Sequence, residues 1–290
     1  MNYTYETIAD IVRLSKEHNC SFAEVVLRNE MATYEMTKEE VLAKIDERLA
    51  IFEESVQAGL EHTGKTVSGM SGGQGLILEA HKPLLLGELA YKAMTYALVV
   101  NEANAKMFRI VACPTAGSCG VLPGCVKAVK EVHNIPHELV QEAFLVAAGI
   151  GNVVAERACV AGAVGGCQAE VGTAAAMAAG AVAAMLGADA DQISHAMALS
   201  LKNVLGLVCD PVAGLVEVPC VKRNGIFAVQ ALTAAEMALA GITSQIPADE
   251  VIDAMNVIGR ALPESLRETS TGGLAVTPTG LAIADKVAQS

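Results

Sequence analysis

Val171-Gly-Thr-Ala-Ala-Ala-Met-Ala-Ala-Gly-Ala-Val-Ala-Ala-Met-Leu-Gly-Ala188 carries no charge over 18 positions, and Glu170 and Asp189 close it at either end. A mean hydropathy of +0.41 for the whole chain makes a membrane span the first reading to test. The stretch is mostly Ala and Gly, which are only weakly apolar, and it has neither an aromatic belt nor a Lys/Arg flank. It reads instead as a helix buried on every side. Aromatic residues make up only 3% of the chain and Trp is absent. The core around such a helix must therefore be built from Ala, Val, Leu, Ile and Met at short helix–helix distances. Gly162, Gly165, Gly166, Gly172 and Gly180 would permit that close approach.

Outward from this stretch, apolar windows of helical period alternate with short Gly/Pro breaks. They predict helices near 83–107, 121–132, 137–156, 168–186, 190–205, 224–241 and 248–262. No alternating run of β-branched residues is long enough to establish a sheet. Toward the N-terminus, Thr4–Lys16 has helical spacing, and Ser21 can cap Phe22–Asn29. Thr37 and Glu40 form a capping-box pattern ahead of an amphipathic segment that ends near Gly59. The expectation is an all-α, compact multi-helix protein. An N-terminal helical segment, 1–62, precedes a helical catalytic domain, 63–290, with a single continuous domain 1–290 as the alternative. The glycine-rich segment 63–75 is the candidate hinge or boundary.

With 20 basic and 32 acidic residues the net charge is −12, a field that repels phosphate backbones and disfavours a nucleic-acid partner. Met1-Asn-Tyr-Thr-Tyr-Glu6 opens without a basic n-region or a small-residue cleavage site, so a cytoplasmic protein is expected. In that reducing compartment the eight cysteines are structural, metal-binding or catalytic rather than disulfide-bonded.

Several motifs also have plainer readings. Gly59-Leu-Glu-His-Thr-Gly-Lys-Thr66 matches the phosphate-loop pattern, but no buried strand precedes it and no helix can readily start at Lys65. Gly69, Gly72, Gly73 and Gly75 could form an anion-binding nest, although a hinge suits them better. Cys113, Cys119 and Cys125 stand six residues apart, unlike the short pairs of zinc sites. Pro114–Gly120 places two hydroxyls and flexible backbone just before an apolar helix, where helix-end amides can bind a carboxylate. His133 and His137 are separated by Pro136, which argues against one continuous helix.

Cys167, Cys209 and Cys220 remain, 42 and 11 residues apart. Spacing alone favours three buried core cysteines. The alternative is a soft-ligand centre in which three thiolates bind an iron–sulfur cluster and leave one iron open.

Around these residues the sequence resembles the alpha chain of the two-subunit, iron–sulfur-dependent L-serine dehydratases. The resemblance rests on Val99-Val-Asn-Glu-Ala-Asn104, Pro114-Thr-Ala-Gly-Ser-Cys-Gly120 and Gly165-Gly-Cys-Gln-Ala-Glu-Val-Gly172. It continues through Cys209-Asp-Pro-Val-Ala-Gly-Leu-Val-Glu-Val-Pro-Cys220, Val221-Lys-Arg-Asn224 and Arg267-Glu-Thr-Ser-Thr-Gly-Gly-Leu-Ala275. It implies a mainly helical catalytic domain with a 4Fe–4S cluster on Cys167, Cys209 and Cys220. It also implies conversion of L-serine to pyruvate and ammonia, with the open iron as Lewis acid for β-elimination of hydroxide. Relatives in which both parts are fused carry a Ser-Ser-His-Thr motif, which is absent here, as is the C-terminal cysteine of some relatives. A separate beta chain is therefore expected, supplying substrate-binding groups or the general base, in an oligomeric enzyme. Thr115, Ser118, Arg223 and Asn224 are the candidate substrate contacts. Arg223 can pair with a carboxylate bidentately, and a structural ion pair explains it equally well. A cysteine-degrading lyase and a non-enzymatic redox-thiol subunit are the alternative functions.

Overall fold

The computed structural model describes residues 3–289, and among them are thirteen α-helices and no strand. The first three are α1 (Ile8–His18), α2 (Phe22–Tyr34) and α3 (Lys38–Glu61). The next four are α4 (Gln74–Ala80), α5 (Glu88–Ala105), α6 (Val121–His133) and α7 (His137–Arg157). A single turn, α8 (Gly162–Gly165), leads to α9 (Thr173–Met185), α10 (Ala190–Lys202) and α11 (Cys220–Leu239). The chain closes with α12 (Ala248–Ala261) and α13 (Pro278–Ala288). The all-α expectation holds.

Local sequence explains where these helices start. Thr7, Ser21 and Thr37 each accept a backbone N–H from the first turn of α1, α2 and α3. The Thr37–Glu40 and Asp189–Gln192 pairs close reciprocal capping boxes on α3 and α10. Helix α9 is the axis of the molecule. Every residue from Thr173 to Met185 except Ala184 is buried, and the helix packs against α6, α7, α10 and α11. Its small side chains hold those neighbours close, as a core poor in aromatics requires. A similar approach occurs where α6 crosses α5: a Cβ on Gly124 would fall 2.6 Å from the backbone nitrogen of Ala97. Helix α7 is long and apolar enough by composition to cross a membrane, yet Val140, Leu145, Val146, Ile150 and Val154 are buried within the protein.

One apolar core runs from Ile8 and Phe22 near the N-terminus through Val146, Ala178 and Met197 to Ile252 and Met255. Helix α1 packs on α10 and α12, and α3 packs on α5.

The structure differs from the sequence expectation in four places. The 83–107 window becomes helical only at Glu88, because Pro83–Leu86 is a loop that leaves Leu84 80% and Leu85 97% exposed, and Gly87 is the cap. Helix α4 forms inside the glycine-rich region, and α13 forms behind Thr277, with Pro278 as its first residue. The 168–186 window is not a continuous α-helix. Gln168–Gly172 is a π-turn that runs into α9. Such turns are rare and are often found at functional sites.

Candidate metal centre

Three segments distant in sequence meet at the start of the central helix. Cys167 caps the π-turn and follows Gly166, whose φ of +75° reverses the chain. Gln168 fixes that turn from inside the core. Its backbone N–H donates to the Leu207 carbonyl, its Nε2 donates to the Met255 carbonyl, and its Oε1 accepts from the Gly206 N–H. Cys209 lies in an extended bridge with Arg267, where its N–H donates to the Leu266 carbonyl at 2.9 Å and its carbonyl accepts from the Glu268 N–H at 2.8 Å. Cys220 is the first residue of α11. The string 267–275, read in the sequence only as part of a resemblance, thus clamps the loop that carries Cys209. Asp210 completes the clamp. One carboxylate oxygen accepts from Arg223 Nη2 at 3.0 Å and the other from the Leu274 N–H at 2.8 Å.

The three thiols lie within electrostatic reach of one another. Burial pushes Cys167 up to about 11, with Arg223 opposing the rise. Burial and then the charge of Cys167 push Cys220 up to about 12. Cys209 rises further, through burial first and then Cys167, Glu170, Glu268 and Cys220. Three thiolates in one desolvated cluster repel one another and coexist only around a cationic centre. The donor set is soft and free of disulfides, since all eight cysteines are free. It fits a thiophilic metal or cluster.

Beside the thiols are two carboxylates that the sequence reading passed over. Ligand atoms of Glu170, Cys209 and Glu268 all lie within 4.8 Å of one another. Glu170 projects from the π-turn, and its Oε1 accepts from Thr115 Oγ1 at 2.8 Å. Burial raises its pKa, the Thr115 hydroxyl pulls it back, and the nearby Glu268 adds to the rise. The sign that was available is an acidic residue set in a run otherwise made of Gly, Ala and Val.

The structure brings Thr115 and Ser118 to this place, with 3.2 Å between their hydroxyl oxygens. Arg223 is held by the Val208 carbonyl and Asp210, with its charge also beside Cys167. Asn224 is fully buried. Its Oδ1 accepts from the Gly120 N–H, and its Nδ2 donates to the Gly117 and Cys220 carbonyls, each at 2.9 Å. Asn101 and Asn104 hold the same loop from the other side through the Ala116 and Gly117 carbonyls. Cys113, Cys119 and Cys125 are buried in the core.

The glycine-rich segment turns out to be a strap over this centre. No helix starts at Lys65, as expected from the failed phosphate-loop context. The amides of Gly72 and Gln74 do converge on an anion, but it is the chain's own buried Glu102, whose Oε1 accepts both at 3.0 and 3.2 Å. Farther along the strap, Thr66 and Ser68 donate their hydroxyls to the two oxygens of Glu217, each at 2.7 Å. Glu217 lies between Cys209 and Cys220, so the strap grips the cysteine loop directly. Replacing Glu217 by Gln keeps the shape but weakens two charge-assisted bonds in a buried setting. A loss of about 1–3 kcal/mol is expected. Limited proteolysis should then cut faster within 63–73, and an unchanged cleavage rate would show that the latch carries no stability.

Residues 17–275 match a family model described as serine dehydratase alpha chain. The chain is 48% identical over 286 residues to a probable L-serine dehydratase, alpha chain, of Bacillus subtilis, covering 98% of this chain and 95% of that one. It is 40% identical over 278 residues to the L-serine dehydratase, alpha chain, of Peptoniphilus asaccharolyticus, covering 94% and 95%. Against L-serine dehydratase 2 of Escherichia coli the identity is 35% over 289 residues, covering 94% of this chain but 62% of the longer relative. The cysteine-bearing strings lie inside the matched range, and the chain belongs to the serine dehydratase alpha chain family.

Proposed function

We propose that this chain is the alpha subunit of an L-serine dehydratase, a lyase that converts L-serine to pyruvate and ammonia. The observation that carries the reading is the setting of Cys167, Cys209 and Cys220: Cys209 lies 3.8 Å from Glu170 of the turn that Cys167 opens, in the loop that ends with Cys220 at the start of α11. Family membership supplies the reaction class. These three cysteines would hold a 4Fe–4S cluster, which supplies a Lewis-acidic iron with an open position for a hydroxyl leaving group.

The chain's own residues prepare that place. The bridge between Cys209 and Arg267 and the Glu217 latch fix the cysteine loop near its two ends. Arg223 sets a positive charge beside Cys167 and partly offsets the thiolates. Asn224 holds the 117–120 backbone, which keeps Thr115 and Ser118 in position to orient substrate oxygen atoms.

A beta chain completes the enzyme in this reading and supplies the base that takes the α-proton. The longer E. coli relative, of which this chain covers 62%, supports a second part of the assembly. A reducing, cytoplasmic setting suits eight free thiols. The test is turnover by the alpha–beta complex prepared without oxygen. Pyruvate should form from L-serine, and L-cysteine should react far more slowly. Preference for L-cysteine would replace this reading with a cysteine-degrading lyase.

A further inference from the structure

We propose that Glu170 receives the α-ammonium group of the substrate amino acid, a step in recognition that rests on the dehydratase reading above. Its two carboxylate oxygens are unequally satisfied. Oε1 holds the Thr115 hydroxyl at 2.8 Å. Among the described residues, Oε2 has only the Cys209 thiol, a weak donor at the long distance of 3.8 Å. A carboxylate oxygen that is mostly out of water and unpaired costs free energy until a cation or donor reaches it.

The surroundings favour a cation. The Glu268 carboxylate lies within 4.8 Å of Glu170, so the local charge is negative on two sides. Arg223 does not neutralise it, because its guanidinium is committed to Asp210 and the Val208 carbonyl. Space is also kept open beside the carboxylate. A Cβ on Gly162 would fall 2.5 Å from Oε2 and 3.1 Å from Cys209 Sγ, and one on Gly117 would fall 3.5 Å from Oε1. At Gly162 any side chain would crowd Glu170, whereas at Gly117 a methyl would meet it at ordinary contact distance. The substrate's hydroxyl and its ammonium sit on neighbouring carbons, so a group beside Cys209 can meet the ammonium while the hydroxyl addresses the centre. The ammonium brings three N–H donors, enough for Glu170 and Glu268 together.

The test compares ligands with and without the amino group on the anaerobic, cluster-loaded alpha–beta complex. In Glu170→Gln, the KM for L-serine should rise about 10- to 100-fold. The inhibition constant of 3-hydroxypropionate, which lacks the ammonium, should stay within about twofold, since it never used the lost charge. The cluster absorbance should be kept. Glu170→Asp retains the charge and should keep most of the discrimination, so a misfolded Gln variant does not leave the matter open. Equal weakening of both ligands, or no weakening of either, overturns the assignment. Loss of the cluster absorbance in Glu170→Gln also overturns it, making Glu170 a support of the centre instead. A cluster-loaded wild-type complex that leaves L-serine unchanged overturns both this and the dehydratase reading. Turnover with unaltered discrimination overturns this one alone.

Discussion

Replacing Cys209 by Ser is expected to remove the cluster absorbance and L-serine turnover together, with activity falling on the order of a thousandfold or more. Cys209 is the most exacting of the three positions. Its backbone is bonded on both sides to the 266–268 segment, and its sulfur lies within 4.8 Å of carboxylate oxygens of Glu170 and Glu268. A serine oxygen is a hard donor whose proton is far less readily lost, so it replaces the thiolate poorly as a ligand for iron. The fold should survive, because the bridge is made by main-chain atoms and, among the described residues, the thiol has one hydrogen-bond partner, Glu170 at 3.8 Å. Helical circular dichroism would therefore stay unchanged while the visible absorbance disappears. A variant that keeps both absorbance and turnover would remove Cys209 from the ligand set.

Asn224→Ala is expected to give the largest stability loss of any single polar change near the site, about 2–4 kcal/mol. Three backbone groups each lose a hydrogen bond at once: the Gly120 N–H and the Gly117 and Cys220 carbonyls, of which Gly117 keeps Asn101 Nδ2. Asn224 is fully buried, so water cannot easily replace the amide. The loop that carries Thr115 and Ser118 is then held by Asn101 and Asn104 from α5 and by the Thr115–Glu170 bond. Equilibrium denaturation would show the loss as a lower midpoint at constant slope. A change below about 0.5 kcal/mol would mean that the loop relaxes onto other partners.

Much of the fold is legible in the sequence because the helices announce themselves by caps and breaks. Thr37 and Glu40 mark the start of α3, and Pro136 separates α6 from α7, just as their chemistry requires. The α13 signal, Thr277 followed by Pro278, is equally clear in hindsight, since proline is preferred at a first helical position. The start of α5 is less legible. Pro83-Leu-Leu-Leu86 is apolar, and hydrophobicity alone cannot tell an exposed loop from a helix turn. The π-turn at 168–172 has no sequence signature of its own. It arises because Gln168 is pinned to Leu207, Gly206 and Met255 by tertiary hydrogen bonds.

The site divides in the same way. The string from Cys209 to Cys220 stands out by its residues. Glu170 and Glu217 lie inside quoted strings and still carry no local mark, because their partners Thr115, Thr66 and Ser68 are far away in the chain. The glycine-rich segment reads best in the sequence as a hinge, with an anion-binding nest as the lesser reading. Its amides do cradle a carboxylate, and the carboxylate is Glu102 of the same chain.

If Cys167, Cys209 and Cys220 form one cluster-binding centre, iron and acid-labile sulfide measured per chain on protein purified without oxygen should come to about four of each. Both should fall toward zero in Cys167→Ser, Cys209→Ser and Cys220→Ser alike. Protein that carries neither iron nor sulfide yet converts L-serine at full rate would contradict it.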